Sequence, residues 1–402
     1  MKTEKQMPVD KLASEILSNP DYLAISYGGY RGKSREIQPT MPEIKEDLML
    51  MSAMGIRLLR TYNVHLAESA NLLQAISEIK KTDPRFEMYV MLGAWIDCKN
   101  AWTDLPVDHD QESEKNADEI ARAVELAKKY PDIVKIIAVG NEAMVKWATA
   151  YYVQPEVILK WVNHLQELKK IGELPSSLWI TSSDNFASWG GGSEEYHVEA
   201  LHQLIKAVDF VSMHTYPMHD THYNPQFWGI SEDETHLNDH EKIDIAMANA
   251  RDYAVSQYNS VVKYLHGLNI SKPVHIGETG WATFSNEHYG DEGSQACDEY
   301  KSGLFYKLLR QWSKDAGVAC FYFEAFDEQW KDATNPGGSE NHFGLINLQS
   351  QAKYAIWDMV DNGTFDGLRR DGKKITKTYD GKINDLMTHV KVPPMKLQTQ
   401  NQ

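Results

Sequence analysis

The sequence predicts an α/β fold, a (β/α)8 barrel (TIM barrel) with extended loops at the C-terminal face of its strands. Three observations carry that expectation. Short runs rich in Val, Ile and aromatic residues recur eight times; the runs are apolar on both faces, as parallel strands covered by helices are; and stretches with helical periodicity separate them. Eight alternations of strand and helix match a closed barrel, although a large doubly wound sheet would alternate in the same way.

The strand candidates begin with "YLAISYGG" at Tyr22, "GIRLLRTY" at Gly55, "FEMYVMLGAW" at Phe86 and "IVKIIAVGNE" at Ile133. They continue with "LWITSSDN" at Leu178, "VDFVSMHTYP" at Val208, "PVHIGETGW" at Pro273 and "VACFYFEAFDE" at Val318. Between the first two, "MPEIKEDLMLMSAMG" reads as a helix with Pro42 near its first turn, Ile44, Leu48 and Met51 on one face, and Gly55 at its end. In "ADEIARAVELAKKY", Ile120, Val124, Ala127 and Lys128 recur at three- and four-residue steps before Pro131 stops the helix. A long amphipathic helix is expected from about Lys242 to Leu265.

A barrel needs about 250 residues. This chain has 402, so the excess belongs in loops and at the ends. The expected division is an N-terminal helix or extension over 1–19, the barrel over 20–365, and a polar extension over 366–402 whose end, "PPMKLQTQNQ", reads as disordered. Long loops follow the third strand ("DCKNAWTDLPVDHDQESEKN"), the fifth ("NFASWGGGSEEYH") and the sixth ("PMHDTHYNPQFWGISEDETHLNDHEKID").

Composition narrows the partners. With 41 Lys and Arg against 57 Asp and Glu, the net charge of −16 repels phosphate backbones and anionic membrane surfaces, so neither nucleic acid nor membrane is expected. A neutral ligand is compatible with that charge, and Trp and Tyr side chains supply faces on which sugar rings stack. Cys98, Cys297 and Cys320 have spacings of neither a disulfide framework nor a zinc ribbon, and free thiols are expected. The N-terminus lacks an apolar signal region and no run is long enough to span a bilayer, so the chain as given is expected to carry neither signal peptide nor anchor.

Catalytic groups of such barrels sit at the C-terminal ends of strands. Glu142 ends the fourth strand and Glu278 the seventh, from where both can project into one mouth. Carboxylates about 5 to 5.5 Å apart support retaining glycoside hydrolysis, one protonating the leaving oxygen and the other attacking the anomeric carbon. Asn141 carries an amide of the kind that holds a sugar 2-hydroxyl, and Tyr216 can donate its phenol proton to Glu278 and keep it ionised. Each glutamate is followed within five residues by a tryptophan, Trp147 and Trp281, and both are counted among the substrate-binding residues. A single glutamate after a strand would otherwise read as an ordinary helix-start residue. Glu324, Asp327, Glu328 and Lys331, in "FEAFDEQWK", read either as a surface ion-pair cluster or as support for the site.

At these motifs the sequence resembles glycoside hydrolase family 17, the β-1,3-glucanases that include bacterial laminarinases. "ISYGGYR", "VGNEAM", "IGETGWAT" and "FEAFDEQWK" followed by "ENHFGLIN" fall in family order over roughly residues 20–350. The resemblance implies the barrel fold, retention of configuration, Glu142 as acid/base and Glu278 as nucleophile. It further implies that Tyr27, Asn141, Tyr216, Trp281, Glu324, Glu328 and Lys331 line the sugar subsite nearest the chemistry.

Elsewhere, His214, His219, Asp220 and His222 could be read as a metal cluster, but their spacing imposes no convergence, and a sugar-contacting His214 is preferred. Trp189 and Trp228 are proposed as stacking platforms, with packing of their loops onto the rim as the alternative. A phosphate loop, a nucleophile elbow and a dinucleotide fingerprint are all missing. The expected function is a retaining endo-β-1,3-glucanase acting on laminarin-like glucan, exported, monomeric, and needing no cofactor or metal. A β-1,3-glucan glucanosyltransferase with the same two glutamates is the alternative. A non-catalytic glucan-binding protein on a hydrolase scaffold is the alternative of another class.

Overall fold

The structure, a computed structural model, describes residues 11–396. Its central strands are β1 (Leu23–Ser26), β2 (Ile56–Arg60), β3 (Tyr89–Ala94), β4 (Val134–Asn141), β5 (Trp179–Asn185), β6 (Val211–His214), β7 (Val274–Gly280) and β8 (Cys320–Phe323). Each pairs in parallel with its neighbours in the chain, and β8 returns to β1 through Ala24↔Phe321 and Ile25↔Tyr322. That closure is the (β/α)8 barrel and decides against the doubly wound sheet.

Around it lie α1 (Ala13–Leu17), α2 (Met41–Ala53), α3 (Ala67–Thr82), α4 (Lys115–Lys129), α5 (Pro155–Lys170), α6 (Glu199–Ala207), α7 (Pro217–Tyr223), α8 (Asp239–Gly267) and α9 (Glu299–Ala316). The expected helix starts are visible as chemistry. Thr40 caps α2 by accepting from the Glu43 N–H while Glu43 reaches back to the Thr40 N–H, and Asn238 and Glu241 do the same for α8. The buried face of α4 is Asn116, Glu119, Ile120, Ala123 and Ala127, so Lys128, expected on that face, points to solvent.

Two apolar regions hold the barrel. The larger fills the space between strands and helices. The smaller lies inside the lower barrel, where Ala13, Ile16 and Leu17 of α1 pack with Leu58, Met91, Ile136, Phe210 and Phe321. The helix expected within 1–19 is α1, and it plugs the barrel bottom because it carries the apolar atoms that complete this layer.

The C-terminal segment is corrected in the same sense. Arg370 is buried and donates from Nε to Asp47 Oδ1 at 3.0 Å, Leu386 is buried, and the Lys301 ammonium donates to the Lys391 carbonyl at 2.6 Å. Ile230 and Met395 bridge in parallel. Residues 366–396 thus clasp the barrel through buried charge and backbone pairing that a polar composition conceals, and of the stretch expected to be disordered only 397–402, like 1–10, lies outside the described residues. Cys98, Cys297 and Cys320 are free thiols.

Loops over the C-terminal rim use the remaining length. The one after β3 holds a short antiparallel pair, Cys98–Lys99 with Asp108–Glu112. In the glycine-rich stretch after β5, Gly190 has φ +87° and a Cβ there would stand 2.1 Å from the Tyr264 ring, so Gly190 and its neighbour Gly191 serve close packing on α8.

Candidate active site

Glu142 leaves the end of β4 through a bend. Its register against β5 shifts between Ala138 and Asn141, Gly140 has φ 80°, and Glu142 itself has φ 47°. A non-glycine residue in the left-handed region costs about 1–3 kcal/mol and persists only where its surroundings hold it. Here the Glu142 N–H donates to the Ser183 carbonyl at 3.0 Å, and buried Asp184 accepts the Met144 N–H at 2.7 Å. The bend turns the Glu142 carboxyl into the barrel mouth. Gly140→Ala places a Cβ 2.9 Å from Ala143 Cβ and 3.1 Å from Ile158 Cδ1 at a φ that L-residues avoid. It is expected to destabilise the fold by about 1–3 kcal/mol, seen as a lower urea midpoint at unchanged slope; an unchanged midpoint contradicts the bend's role.

Opposite stands Glu278 on β7, buried and fully engaged. Its Oε1 accepts the Tyr216 hydroxyl at 2.7 Å, and its Oε2 accepts the Tyr62 hydroxyl at 2.7 Å and an Arg60 Nη1–H. Arg60 also donates from Nη2 to Asn141 Oδ1 at 2.5 Å, which leaves the Asn141 NH2 to donate elsewhere. Glu142 Oε1 shares a 3.0 Å hydrogen bond with His214 Nδ1, whose Nε2 lies 2.8 Å from Ser183 Oγ.

These surroundings push the two carboxyls apart in acidity. Burial, then the negative charge of Glu278, raise Glu142 to about 8. Burial would raise Glu278 too, but the Arg60 guanidinium, with the Tyr216 and Tyr62 hydroxyls, outweighs it and holds that carboxyl down at about 2. Burial lowers His214 to about 4, so at neutral pH it is an uncharged partner for Glu142. Around neutrality one site thus holds a protonated acid beside an ionised carboxylate.

Donor atoms of Glu142, His214 and Glu278 lie within 4.8 Å of one another, a spacing a cation could also use. Arg60 and two phenols already neutralise and hydrogen-bond Glu278, so the donor set suits proton handling better. The sequence cluster of His219, Asp220 and His222 does not converge: His219 stacks on Tyr216, His222 stacks on His288, and Asp220 accepts from Gln257 and Asn224.

A cavity of about 870 Å³ opens beside the pair, toward the loops of β1, β2, β3 and β8. On its β8 side half-buried Lys331 donates from Nζ to Glu324 Oε2 at 2.7 Å and to Glu328 Oε2 at 2.6 Å, and Glu328 Oε1 accepts the Tyr30 N–H at 2.8 Å. Asp327 turns away to buried Lys353 at 2.7 Å. The cluster "FEAFDEQWK" is therefore an interior ion network at the cavity wall, not a surface one.

The sequence model of the BtgE/BtgC glycoside hydrolase domain matches residues 24–344, four fifths of the chain and all eight strands. The chain belongs to the BtgE/BtgC glycoside hydrolase domain family. Among solved structures, an endo-laminarinase from Formosa Hel1_33_131 is 62% identical, with a TM-score of 0.96 over 98% of this chain and 100% of that one. A family 17 β-1,3-glucanosyltransferase from Rhizomucor miehei, 20% identical with a TM-score of 0.55 over 83% of this chain and 96% of that one, shares the fold. Among curated relatives, the glucan 1,3-β-glucosidase of Arthroderma benhamiae is 23% identical over 78% of this chain and 83% of its own length. The Aspergillus niger btgC protein, named as a candidate glucan endo-1,3-β-glucosidase, is 23% identical over 79% of this chain but only 40% of its own length. The chain thus spans about two fifths of the first curated relatives it matches. The resemblance to β-1,3-glucanases read from four motifs agrees with this membership.

For this BtgE/BtgC domain the structure gathers Asn141, Glu142, Tyr216, Glu278, Glu324, Glu328 and Lys331 around one mouth. Several expected ligand contacts are placed elsewhere. Trp189, Trp228 and Trp281 are fully buried, their indole N–H groups donating to the carbonyls of Ser212, Ser294 and Ala296 at 3.0, 3.1 and 2.8 Å, so they pack the loops onto the rim and offer no face to a sugar. Tyr27 is buried with its hydroxyl on Asp47 at 3.1 Å. His214 is buried with both nitrogens occupied by protein, so it can touch Glu142 but no sugar. Trp147 is 63% exposed on the loop after β4 and does not border the cavity.

Sequence reasoning missed Arg60, Tyr62, Asp184 and the cavity tryptophans Trp95, Trp102 and Trp330. Arg60 carried the signal that singled out Glu142, a charge at the end of an apolar strand.

Proposed function

We propose that the protein is a retaining endo-β-1,3-glucanase acting on laminarin-like glucan. The observation that carries this reading is the pair Glu142 and Glu278, with oxygens within 4.8 Å and acidities pushed in opposite directions. Retaining glycosidases hold their carboxyls about 5–5.5 Å apart, inverting ones about 6.5–9.5 Å apart to admit a water. The substrate reading is supported by the laminarinase of 62% identity, which covers nearly the whole chain.

Glu278, kept ionised by Arg60 and two phenols, attacks the anomeric carbon. Glu142, kept protonated by burial and the neighbouring charge, gives its proton to the departing glycosidic oxygen, and the glycosyl–Glu278 ester forms as that bond breaks. Forming the ester removes the charge that raised Glu142, so its acidity increases and it is left ionised to take a proton from the incoming water. Hydrolysis of the ester then restores both groups. The free Asn141 NH2 is suited to the sugar 2-hydroxyl, and His214 orients Glu142. The protein is further proposed to be exported and monomeric, since polymeric glucan is met outside the cytoplasm; among the described residues no helix is long and apolar enough to cross a membrane.

Activity requires Glu278 ionised and Glu142 protonated. kcat/KM is therefore expected to fall as pH rises through the Glu142 value of about 8, and to fall on the acid side only as pH approaches the Glu278 value of about 2. A pH profile from 3 to 10 checks this, and an acidic limb centred above 5 contradicts it. Incubation with unbranched β-1,3-glucan, and with β-1,4-glucan as control, tests the substrate. Internal cleavage to oligosaccharides from the β-1,3 polymer alone is expected; products longer than the substrate indicate transfer, and absence of products overturns the reading.

A further inference from the structure

The loop after β3 builds a feature that the two carboxylates do not use. Trp102 is 63% exposed, has φ 62°, and borders the cavity that holds Glu142 and Glu278. One face of its ring stacks on Tyr151, with centroids 5.2 Å apart and planes 22° apart. Its indole N–H donates to Asp97 Oδ1 at 3.1 Å, and the Trp95 N–H donates to the same oxygen at 2.6 Å. Trp95 also borders the cavity, with its ring 5.3 Å from that of Tyr151.

The anchor is itself held from below. The Asp97 N–H donates to Asn116 Oδ1 at 3.0 Å, the Asn116 amide donates to the Asp97 carbonyl at 2.9 Å, and the Trp95 N–H of the backbone donates to Glu119 Oε1 at 3.1 Å. Asn116 and Glu119 are buried polar residues of α4; Asn116 holds this loop, and Glu119 ties it to the loop after β2, its Oε1 also accepting the Val64 N–H at 2.7 Å. Three features thus coincide: a large apolar ring left in solvent, a backbone angle that costs free energy, and buried polar groups that fix the ring from behind. Packing alone accounts for none of them, because a tryptophan serving only to cover Tyr151 gains little while most of its surface stays wet.

We propose that Trp102, with Trp95 and Tyr151 behind the Asp97 anchor, is a pre-formed platform for a further β-glucosyl ring on the β3 side of the cleft, specifying longer chains. The ligand is a neutral pyranose, whose C–H face matches an indole face. Asp97 is spent on two indole donors and serves as a positioning residue. This inference rests on the glucan reading above.

The test measures kcat/KM for β-1,3-gluco-oligosaccharides of increasing length with the parent protein, Trp102→Ala, Trp102→Phe and, as a control, Ile171→Ala, which removes an equally exposed apolar residue at the far end of α5. Calorimetric binding of the hexasaccharide is measured for the same set in a Glu278→Gln background. Trp102→Ala is expected to lower kcat/KM for the longest substrates about three- to tenfold, through KM, with less loss as the chain shortens and partial recovery in Trp102→Phe. Its hexasaccharide binding weakens by the same factor. Equal behaviour of Trp102→Ala and Ile171→Ala at every length, and in binding, overturns the platform. A parent that binds the hexasaccharide but cleaves nothing sinks the hydrolase reading while the platform stands on the binding difference; a parent that does neither overturns both.

Discussion

Glu278→Gln is expected to lower kcat on β-1,3-glucan by about 10⁴-fold or more while glucan binding survives. The amide has nearly the volume of the carboxylate and can still accept from Tyr62 or Tyr216, so the site keeps its shape. It cannot attack an anomeric carbon to form an ester. The substitution also removes the charge that keeps Glu142 protonated, so the alkaline limb set by Glu142 should move to lower pH in any residual activity. Initial rates, calorimetric binding and a thermal melt on one preparation separate loss of chemistry from loss of fold. Turnover within tenfold of the parent would remove Glu278 from the mechanism.

The second large effect belongs to a residue that the motifs did not reveal. Arg60 is the cation that outweighs the burial of Glu278, so Arg60→Met should raise the pKa of that carboxyl and carry the acidic limb of the pH profile upward into the measurable range. The sign follows from the requirement that the nucleophile be ionised: raising its pKa removes activity from the acid side first. At pH 6 a loss of about 10²- to 10³-fold in kcat is expected, the scale set by removal of one charge-stabilising donor in a buried site. Leaving Glu278 without its partner also costs about 3–5 kcal/mol of stability, so a thermal melt accompanies the kinetics. Tyr216→Phe keeps the ring and deletes one hydrogen bond, and should shift the limb in the same direction by less. A profile unmoved in both variants shows that Glu278 does not depend on these donors for its charge.

How much of this was legible in the sequence depends on what each residue's neighbours contribute. The strands were legible because burial on both faces leaves an unbroken apolar run, and Glu142 and Glu278 because a charge at the end of such a run has few purposes. Tyr216 was placed correctly from its offset past β6, a short local connection. Arg60 and Tyr62 met the same criterion at the end of β2 but gain meaning only when the barrel closes and sets β2 beside Glu278 and Asn141. Tryptophans show the limit most plainly. In a loop sequence Trp102 and Trp228 look alike; what separates them is whether the loop folds inward, which rests on the Asp97–Asn116 pairing in one case and on the Ser294 carbonyl in the other. The C-terminal segment was misjudged for a related reason, since Arg370 is polar in composition and buried in fact.

The central claim is that Glu142 and Glu278 act as a close pair through a covalent glycosyl–enzyme. Proton NMR of an unbranched β-1,3-glucan oligosaccharide during the first turnovers, before mutarotation equilibrates the products, tests it most directly. The β-anomer of the new reducing end should appear first and the α-anomer only later. An α-anomer formed first would mean a direct water displacement, for which these two carboxylates stand too close together.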